Sequence, residues 1–405
     1  MNRQSRPFPL ELADRCVKCG LCLPHCPTYG LENVEGESPR GRIALMQGLA
    51  TGALEPEPAL LRHLDRCLGC RACEKACPAG VPYGELIDAG RSLLAERGVQ
   101  PPPSRRWLAR LLRRPRLLRL ATRLAALPGI RAAGRRLGGL PGRASALLPA
   151  DARNARGPDT SAAQELDRAR GAEEVQLFLG CVGSAVDGRS LDDTRRLLEA
   201  AGWRVRTPAG QGCCGAMDLH AGKPGIASRL AQRNLAAFAG TGPIVACASG
   251  CAATLQEYGR LAAEPGEALA ARVRDPAELL AEAPLVFRGG PRRKVALHIP
   301  CTQRNVTGTA PATQKLLRRL PGIELRTLPA GCCGAAGDTF LSQPAMADAL
   351  LAPLLETLAG DPPDVLVTSN VGCAMHFKAG LARAGLAVPV LHPSSLLLSA
   401  LESAT

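Results

Sequence analysis

Cys16-x2-Cys19-x2-Cys22-x3-Cys26-Pro27 stands near the start of the chain, and Cys67-x2-Cys70-x2-Cys73-x3-Cys77-Pro78 repeats both its spacing and its trailing proline. Three thiolates at three-residue intervals can close round one corner of a [4Fe–4S] cube. In two-cluster ferredoxins the fourth cysteine of such a run ligates the other cluster. The spacing therefore pairs Cys16, Cys19 and Cys22 with Cys77, and Cys67, Cys70 and Cys73 with Cys26. Zinc sites use two pairs of ligands, which accounts for neither the triple spacing nor the Cys-Pro ending. A disulfide framework belongs to a short secreted chain, and this one has 405 residues.

Working outward, residues 27–66 carry helical rather than alternating patterns. Pro39-Arg-Gly-Arg42 opens one helix, with Ile43, Leu45, Met46 and Leu49 on its apolar face, and Leu60, Leu61 and Leu64 mark a second. Leu86, Ile87, Ala89, Leu93 and Leu94 mark a third, ending near Gly98. Residues 1–98 thus read as an α-helical ferredoxin domain rather than the compact ββ type. Residues 99–172 read as a basic helical linker. Pro101-Pro-Pro103 breaks the chain. Arginines from Arg105 to Arg123 then alternate with leucines in two short amphipathic helices split at Pro115. These suit a membrane surface, an acidic partner subunit, or a solvated connector. Residues 128–172, rich in Gly, Pro, Ala and Arg, have the composition of a flexible linker.

From residue 173 the chain is duplicated. Strands are expected at 175–179, 203–207, 244–248, 295–299, 323–328 and 365–368, and helices at 189–201, 224–239, 312–320 and 344–358. The landmarks recur at offsets of 120 (Cys181 to Cys301), 119 (Cys213 to Cys332) and 122 (Cys251 to Cys373). Alternating strand and helix implies α/β layers with a largely parallel sheet. The fold class is accordingly α + α/β: the ferredoxin domain, the linker, and two cysteine-rich units at 173–290 and 291–405. Ligands collect at the carboxyl ends of parallel strands. Cys181, Cys213, Cys214 and Cys251 should therefore meet on one rim, and Cys301, Cys332, Cys333 and Cys373 on another. Each set is either a metal or cluster site or a group of buried, redox-active thiols. Cys247 aligns with Ser369 and reads as a spare thiol. His220, His298 and His376 lie close to these landmarks, as ligands or proton relays or as satisfied structural histidines.

Composition narrows the function. The first sixteen residues are polar and lack an apolar h-region, and no run reaches about 18 apolar residues. Seventeen cysteines without a visible export signal imply metal ligation in a reducing compartment, so a cytoplasmic, soluble or peripheral protein is expected. A formal charge of +14 brings nucleic acid to mind. That count omits the negative charge of thiolate-ligated clusters, and the excess is concentrated in the linker, so no nucleic-acid partner is expected. No Gly-x-Gly-x-x-Gly follows a strand and no flavin site is evident. Hydride chemistry must then come from a partner's cofactor.

Two ferredoxin runs, a basic linker and two Cys-Cys-Gly repeats together resemble the iron–sulfur subunit of bacterial glycolate oxidase over essentially the whole chain. Pro39-Arg-Gly-Arg42, His63-Leu-Asp-Arg-Cys67, Ala248-Ser-Gly-Cys251, Pro300-Cys-Thr302 and Ser369-Asn-Val-Gly-Cys373 carry the likeness. Heterodisulfide-reductase-type subunits and the C subunit of anaerobic glycerol-3-phosphate dehydrogenase share the architecture and stand as the alternative. The resemblance implies an electron-transfer subunit with two [4Fe–4S] clusters. FAD-containing partner subunits would oxidise the 2-hydroxy acid, and electrons would pass on to quinone at the membrane. In heterodisulfide-reductase-type relatives such repeats hold unusual clusters, which implies an additional cluster or metal here.

Overall fold

Capping residues start the helix between the two ferredoxin runs where the sequence predicts it. Ser38 accepts a hydrogen bond from the Gly41 N–H, and Pro39 fills the first helical position. The helix Pro39–Thr51 then stops at Gly52, which is left-handed. The computed structural model describes residues 7–137, 139–147 and 173–401. Helices Pro58–Asp65 and Tyr83–Glu96 join the first around Ile43, Met46, Leu49, Leu64, Leu86 and Ile87. Among the described residues no strand precedes Glu174, as the helical reading of this region requires. Met1–Arg106 and Gly215–Ala227 make one compact unit, and Trp107–Cys214 with Ser228–Thr405 makes the other.

Pro115 separates two helices of the linker, Pro103–Leu112 and Pro115–Ala125. The latter buries Leu118 and Thr122, and Thr122 Oγ1 donates to the Ala185 carbonyl at 3.5 Å. The flexible-linker expectation for 128–172 does not hold at its start, because helices Pro128–Leu137 and Gly139–Leu147 occupy that stretch. The reason is tertiary. Arg143 forks onto both carboxylate oxygens of Asp348 at 2.7 Å, a partner 205 residues away that local composition cannot reveal. Residues 148–172 lie outside the described residues.

The duplicated region forms two four-stranded parallel sheets. Strands β1 (Glu174–Phe178), β2 (Arg204–Arg206), β3 (Ile244–Ala246) and β4 (Val273–Arg274) lie in the order β2-β1-β3-β4. Strands β5 (Arg293–His298), β6 (Ile323–Thr327), β7 (Val365–Thr368) and β8 (Val390–Leu391) lie in the order β6-β5-β7-β8. In register, Gln176 pairs with Arg206 and Ile244, and Val295 with Leu325 and Val365. Six strands fall where expected. The edge strands β4 and β8 leave no mark in the sequence, since two residues carry no periodicity. Alternate residues serve two cores. Val175, Leu177, Val295, Leu297, Val365 and Val367 enter one core common to both repeats, while Ala296 and Leu366 face a second one with Leu351 and Phe377. Burial on both faces is why these strands read as continuous apolar runs.

Candidate metal centres

All seventeen cysteines lie within the described residues and none forms a disulfide. The loops inside the two ferredoxin runs have matching backbones. Lys18 and Gly20 are left-handed in the first, and Gly69 and Arg71 in the second. Two left-handed residues per loop curl the chain so that side chains three residues apart can face one point. Cys16 and Cys19 lie close enough to Cys22 to oppose its ionisation, which burial already disfavours. Around the second run one cavity is lined by Cys26, Cys67, Cys70 and Cys73 together with Arg42, Arg71 and Tyr83, and by no other cysteine among the described residues.

Arg42 and Tyr83, which spacing alone does not single out, address these sulfurs directly. Arg42 Nη1 reaches Cys26 Sγ at 3.8 Å, and the Tyr83 hydroxyl donates to Cys67 Sγ at 3.6 Å. Arg42 is 1% exposed, and it pairs at 2.6 Å with Glu37, which is fully buried. His63 Nδ1 lies 2.8 Å from the other oxygen of Glu37, and Arg42 Nε donates to the His63 carbonyl at 2.7 Å. Burial opposes the guanidinium charge, but Tyr83, Cys67, Cys26 and Glu37 more than offset it and hold the Arg42 pKa above its ordinary value. The phrases Pro39-Arg-Gly-Arg42 and His63-Leu-Asp-Arg-Cys67 are the sequence's signal for this network. Burial, and then the charges of Cys70, Cys67 and Cys26, push the Cys73 thiol well up. Four crowded thiols need a cation to hold them as thiolates. The donor set therefore fits an anionic cluster: soft sulfurs, no disulfide, and a buried cation and a hydroxyl aimed at two of them.

In the repeats, β1 and β3 lie side by side at the point where the strand order reverses, the position at which open α/β sheets bind ligands. Cys181 follows β1, and Cys251 is the third residue of helix Ser249–Gln256 after β3. Cys373 has the same place in helix Val371–Arg383 after β7, and Asn370 caps that helix through the Gly372 N–H at 3.0 Å. The Cys-Cys-Gly turns follow β2 and β6. Gly334 has φ +77°, and a Cβ there would collide with the Ala347 carbonyl oxygen, so glycine is required. Gly215 is left-handed in the same way.

The thiols form matching chains. The Cys181 and Cys213 sulfurs are 3.5 Å apart, and those of Cys333 and Cys373 are 3.0 Å apart. A hydrogen bond with Cys213, and then burial, drives the Cys181 pKa up; Cys332 and burial do the same to Cys301. At Cys214 a hydrogen bond with Cys213 pulls down, but one with Cys251 and burial prevail. At Cys333 the corresponding partners are Cys332 and Cys373. The expected sets of four are thus brought together in each repeat. Cys247 stands apart: its thiol donates to Thr194 Oγ1 at 3.4 Å, and burial pushes its pKa up to about 12. His220 is satisfied by Asp88 at 2.8 Å. His376 is satisfied by the Cys333 carbonyl at 2.6 Å and by Asp348 at 3.1 Å. His298 is not: its Nε2 is buried with no hydrogen-bond partner among the described residues.

Residues 12–81 match the 4Fe-4S dicluster domain family, and residues 175–256 and 295–378 each match the cysteine-rich domain family. The fold and these centres define an iron–sulfur electron-transfer protein with [4Fe–4S] clusters. The chain is 34% identical over 406 residues to the glycolate oxidase iron-sulfur subunit of Escherichia coli (strain K12), covering 96% of this chain and 94% of that protein. It is 32% identical to the probable glycolate oxidase iron-sulfur subunit of Bacillus subtilis (strain 168), over 95% of this chain and 93% of that protein. It is 26% identical to a fumarate reductase (CoM/CoB) subunit from Methanothermobacter marburgensis, over 92% of this chain and 68% of that protein. The chain belongs to the family of glycolate oxidase iron–sulfur subunits, and its role is that of an electron-transferring component of an oxidoreductase.

Proposed function

We propose that this chain carries electrons from an FAD-containing flavoprotein subunit that oxidises glycolate or a related 2-hydroxy acid, and delivers them towards quinone at the cytoplasmic face of a membrane. Cys16, Cys19, Cys22 and Cys77 hold one cluster, and Cys67, Cys70, Cys73 and Cys26 the other. Each cluster, when bound, supplies one-electron redox chemistry. The observation that carries the reading is the cavity joining Cys26 to Cys67, Cys70 and Cys73 across the two runs, lined also by Arg42 and Tyr83. Arg42 and Tyr83 supply positive charge and a hydrogen to thiolate sulfur, which favours the reduced, more negative state. The sets Cys181, Cys213, Cys214, Cys251 and Cys301, Cys332, Cys333, Cys373 hold further metal.

The linker supports the membrane end of the path. No helix among the described residues is long and apolar enough to cross a membrane. On helix Pro115–Ala125 and just beyond it, Leu117, Leu120, Leu124 and Leu127 are exposed at helical spacing beside exposed Arg116 and Arg123. Apolar side chains flanked by arginines suit an anionic lipid surface. One reconstitution tests the whole reading. Alone, the chain should show no glycolate-dependent dye reduction. With the flavoprotein subunits, and on anionic vesicles containing quinone, it should restore turnover, and high salt should release it from the vesicles. Turnover by the chain alone sinks the carrier reading, and salt-insensitive absence from vesicles sinks the docking.

A further inference from the structure

The duplication makes His298 conspicuous. The offset that aligns Cys181 with Cys301 places Phe178 opposite His298, so the first repeat has a hydrocarbon ring where the second has an imidazole. His298 ends β5 and is 1% exposed. Its Nδ1 lies 2.9 Å from Thr368 Oγ1 on β7, and its ring meets the edge of Phe377 with centroids 4.8 Å apart. With Nδ1 engaged, Nε2 is left buried and unpartnered among the described residues. A native protein rarely buries a polar nitrogen without use for it.

The ring has sulfur for company. A ring nitrogen of His298, Cys333 Sγ and Cys373 Sγ all lie within 4.8 Å of one another. Zinc binds thiolate sulfur at about 2.3 Å and imidazole nitrogen at about 2.0–2.1 Å, so tetrahedral ligand atoms sit about 3.5–3.8 Å apart. The Cys333 and Cys373 sulfurs, 3.0 Å apart, need open by less than about 1 Å to reach that spacing, and the ring nitrogen stands within 4.8 Å of both. A cube would instead spread its thiolates over separate corners. A metal-ligating histidine commonly fixes its ring through the other nitrogen, and Thr368 performs that task here.

We propose that the second repeat binds a single zinc-type divalent ion through His298 Nε2 and the Cys333 and Cys373 thiolates, with Cys332, whose thiol bonds to that of Cys333, to complete the tetrahedron, whereas the first repeat offers thiolates alone. The proposal rests on the reading of the Cys-Cys-Gly repeats as metal sites and adds the nitrogen ligand and the kind of ion. The two repeats are then unequal: the second is a closed, redox-inert site that holds its rim together, and electron traffic is left to the centres with sulfur ligands only.

The test uses the full chain, purified anaerobically and supplied with Zn2+. Metal analysis should find one tightly held zinc per chain, and X-ray absorption at the zinc edge should require one nitrogen beside sulfur. His298→Phe, which installs the first repeat's residue, should weaken that zinc by at least tenfold while the ferredoxin iron and the circular dichroism stay unchanged. Thr368→Val should weaken it less, and Cys251→Ser should leave it in place. The proposal is overturned if the wild type holds no zinc, if the zinc has sulfur ligands only, if iron takes the place of zinc, or if His298→Phe binds zinc as tightly as the wild type. A loss of metal in Cys333→Ser but not in His298→Phe would remove His298 as a ligand and leave the repeats as metal sites. No change in either Cys333→Ser or Cys251→Ser would overturn that wider reading as well.

Discussion

At the scale of single residues, the buried charges around Cys26 decide what a mutation there can reveal. Arg42 contacts Cys26 Sγ, but Thr28 Oγ1 at 3.0 Å, Glu37 and the His63 carbonyl also hold it. Breaking a buried ion pair costs about 3–5 kcal/mol because it strands a charge. Removing the Cys26 sulfur strands none, since the Arg42–Glu37 pair remains. Cys26→Ser should therefore fold normally and lose only metal. The hydroxyl is a poor ligand for iron, so the variant should keep about four of the about eight ferredoxin irons. Its remaining electron paramagnetic resonance signal should match that of Cys70→Ser and differ from that of Cys19→Ser. A match to Cys19→Ser would show that each run keeps its own fourth cysteine. The cysteines were legible because a soft-metal ligand has few substitutes and its spacing is local. Arg42, Glu37 and Tyr83 were not, because their role depends on burial, and one sequence does not state burial for an arginine or a tyrosine.

At the scale of elements, the last helix of the second repeat depends on a histidine held neutral. His392 starts helix Pro393–Ala400: its Nδ1 accepts from the Ser394 N–H at 3.2 Å, and its Nε2–H donates to the Cys247 carbonyl at 3.1 Å. Burial lowers its pKa to about 4, against the opposing pull of the Cys247 carbonyl and of Asp193. The unfolded chain has a histidine pKa of about 6.5. Between pH 6.5 and about 4 the unfolded state therefore takes up a proton that the folded state refuses, and stability falls as pH falls. The full effect is about 3 kcal/mol. His392→Asn keeps a capping acceptor and removes the proton linkage, at a cost of about 1 kcal/mol at pH 7 for the lost bond to Cys247. Urea midpoints measured from pH 7 to pH 4 should show the wild type losing stability faster than the variant and the two curves crossing. Parallel curves would mean that His392 does not titrate in this way. The six strands of three to six residues and their helices could be read from the sequence because the local pattern around each marks it. Helix Gly139–Leu147 could not, since the bond that seats it runs to Asp348.

At the scale of the molecule, duplication was legible from three near-constant offsets, but the way the copies share a core was not. Periodicity says that a face is buried, not what covers it. Val175, Leu177, Leu197, Leu198 and Val245 of the first repeat lie in one cluster with Val295, Leu297, Leu316, Val365, Leu396 and Leu397 of the second. The covering helices of the two copies pack on each other. Helix Gly188–Ala200 packs on helix Pro393–Ala400 of the other copy, with Thr194 Oγ1 donating to Ser394 Oγ at 2.7 Å. Helix Pro276–Leu280 of the first copy packs on helix Ala310–Arg318 of the second. Near the carboxyl end the Arg288 N–H donates to the Ala400 carbonyl at 2.8 Å. Exposing a buried leucine or valine costs about 1.5–3 kcal/mol, and a domain's whole margin is about 5–15 kcal/mol. A fragment of residues 173–290 would expose several of these side chains at once and lose the helix that covers them. It should therefore collapse without fixed packing: far-ultraviolet dichroism retained, near-ultraviolet dichroism lost, and a hydrophobic dye bound. The same probes on the full chain should show the two repeats unfolding together in one urea transition. A fragment that unfolds sharply, with no dye binding, would show that each repeat closes its own core, and the packing of helix on helix would then be a surface contact between two finished domains.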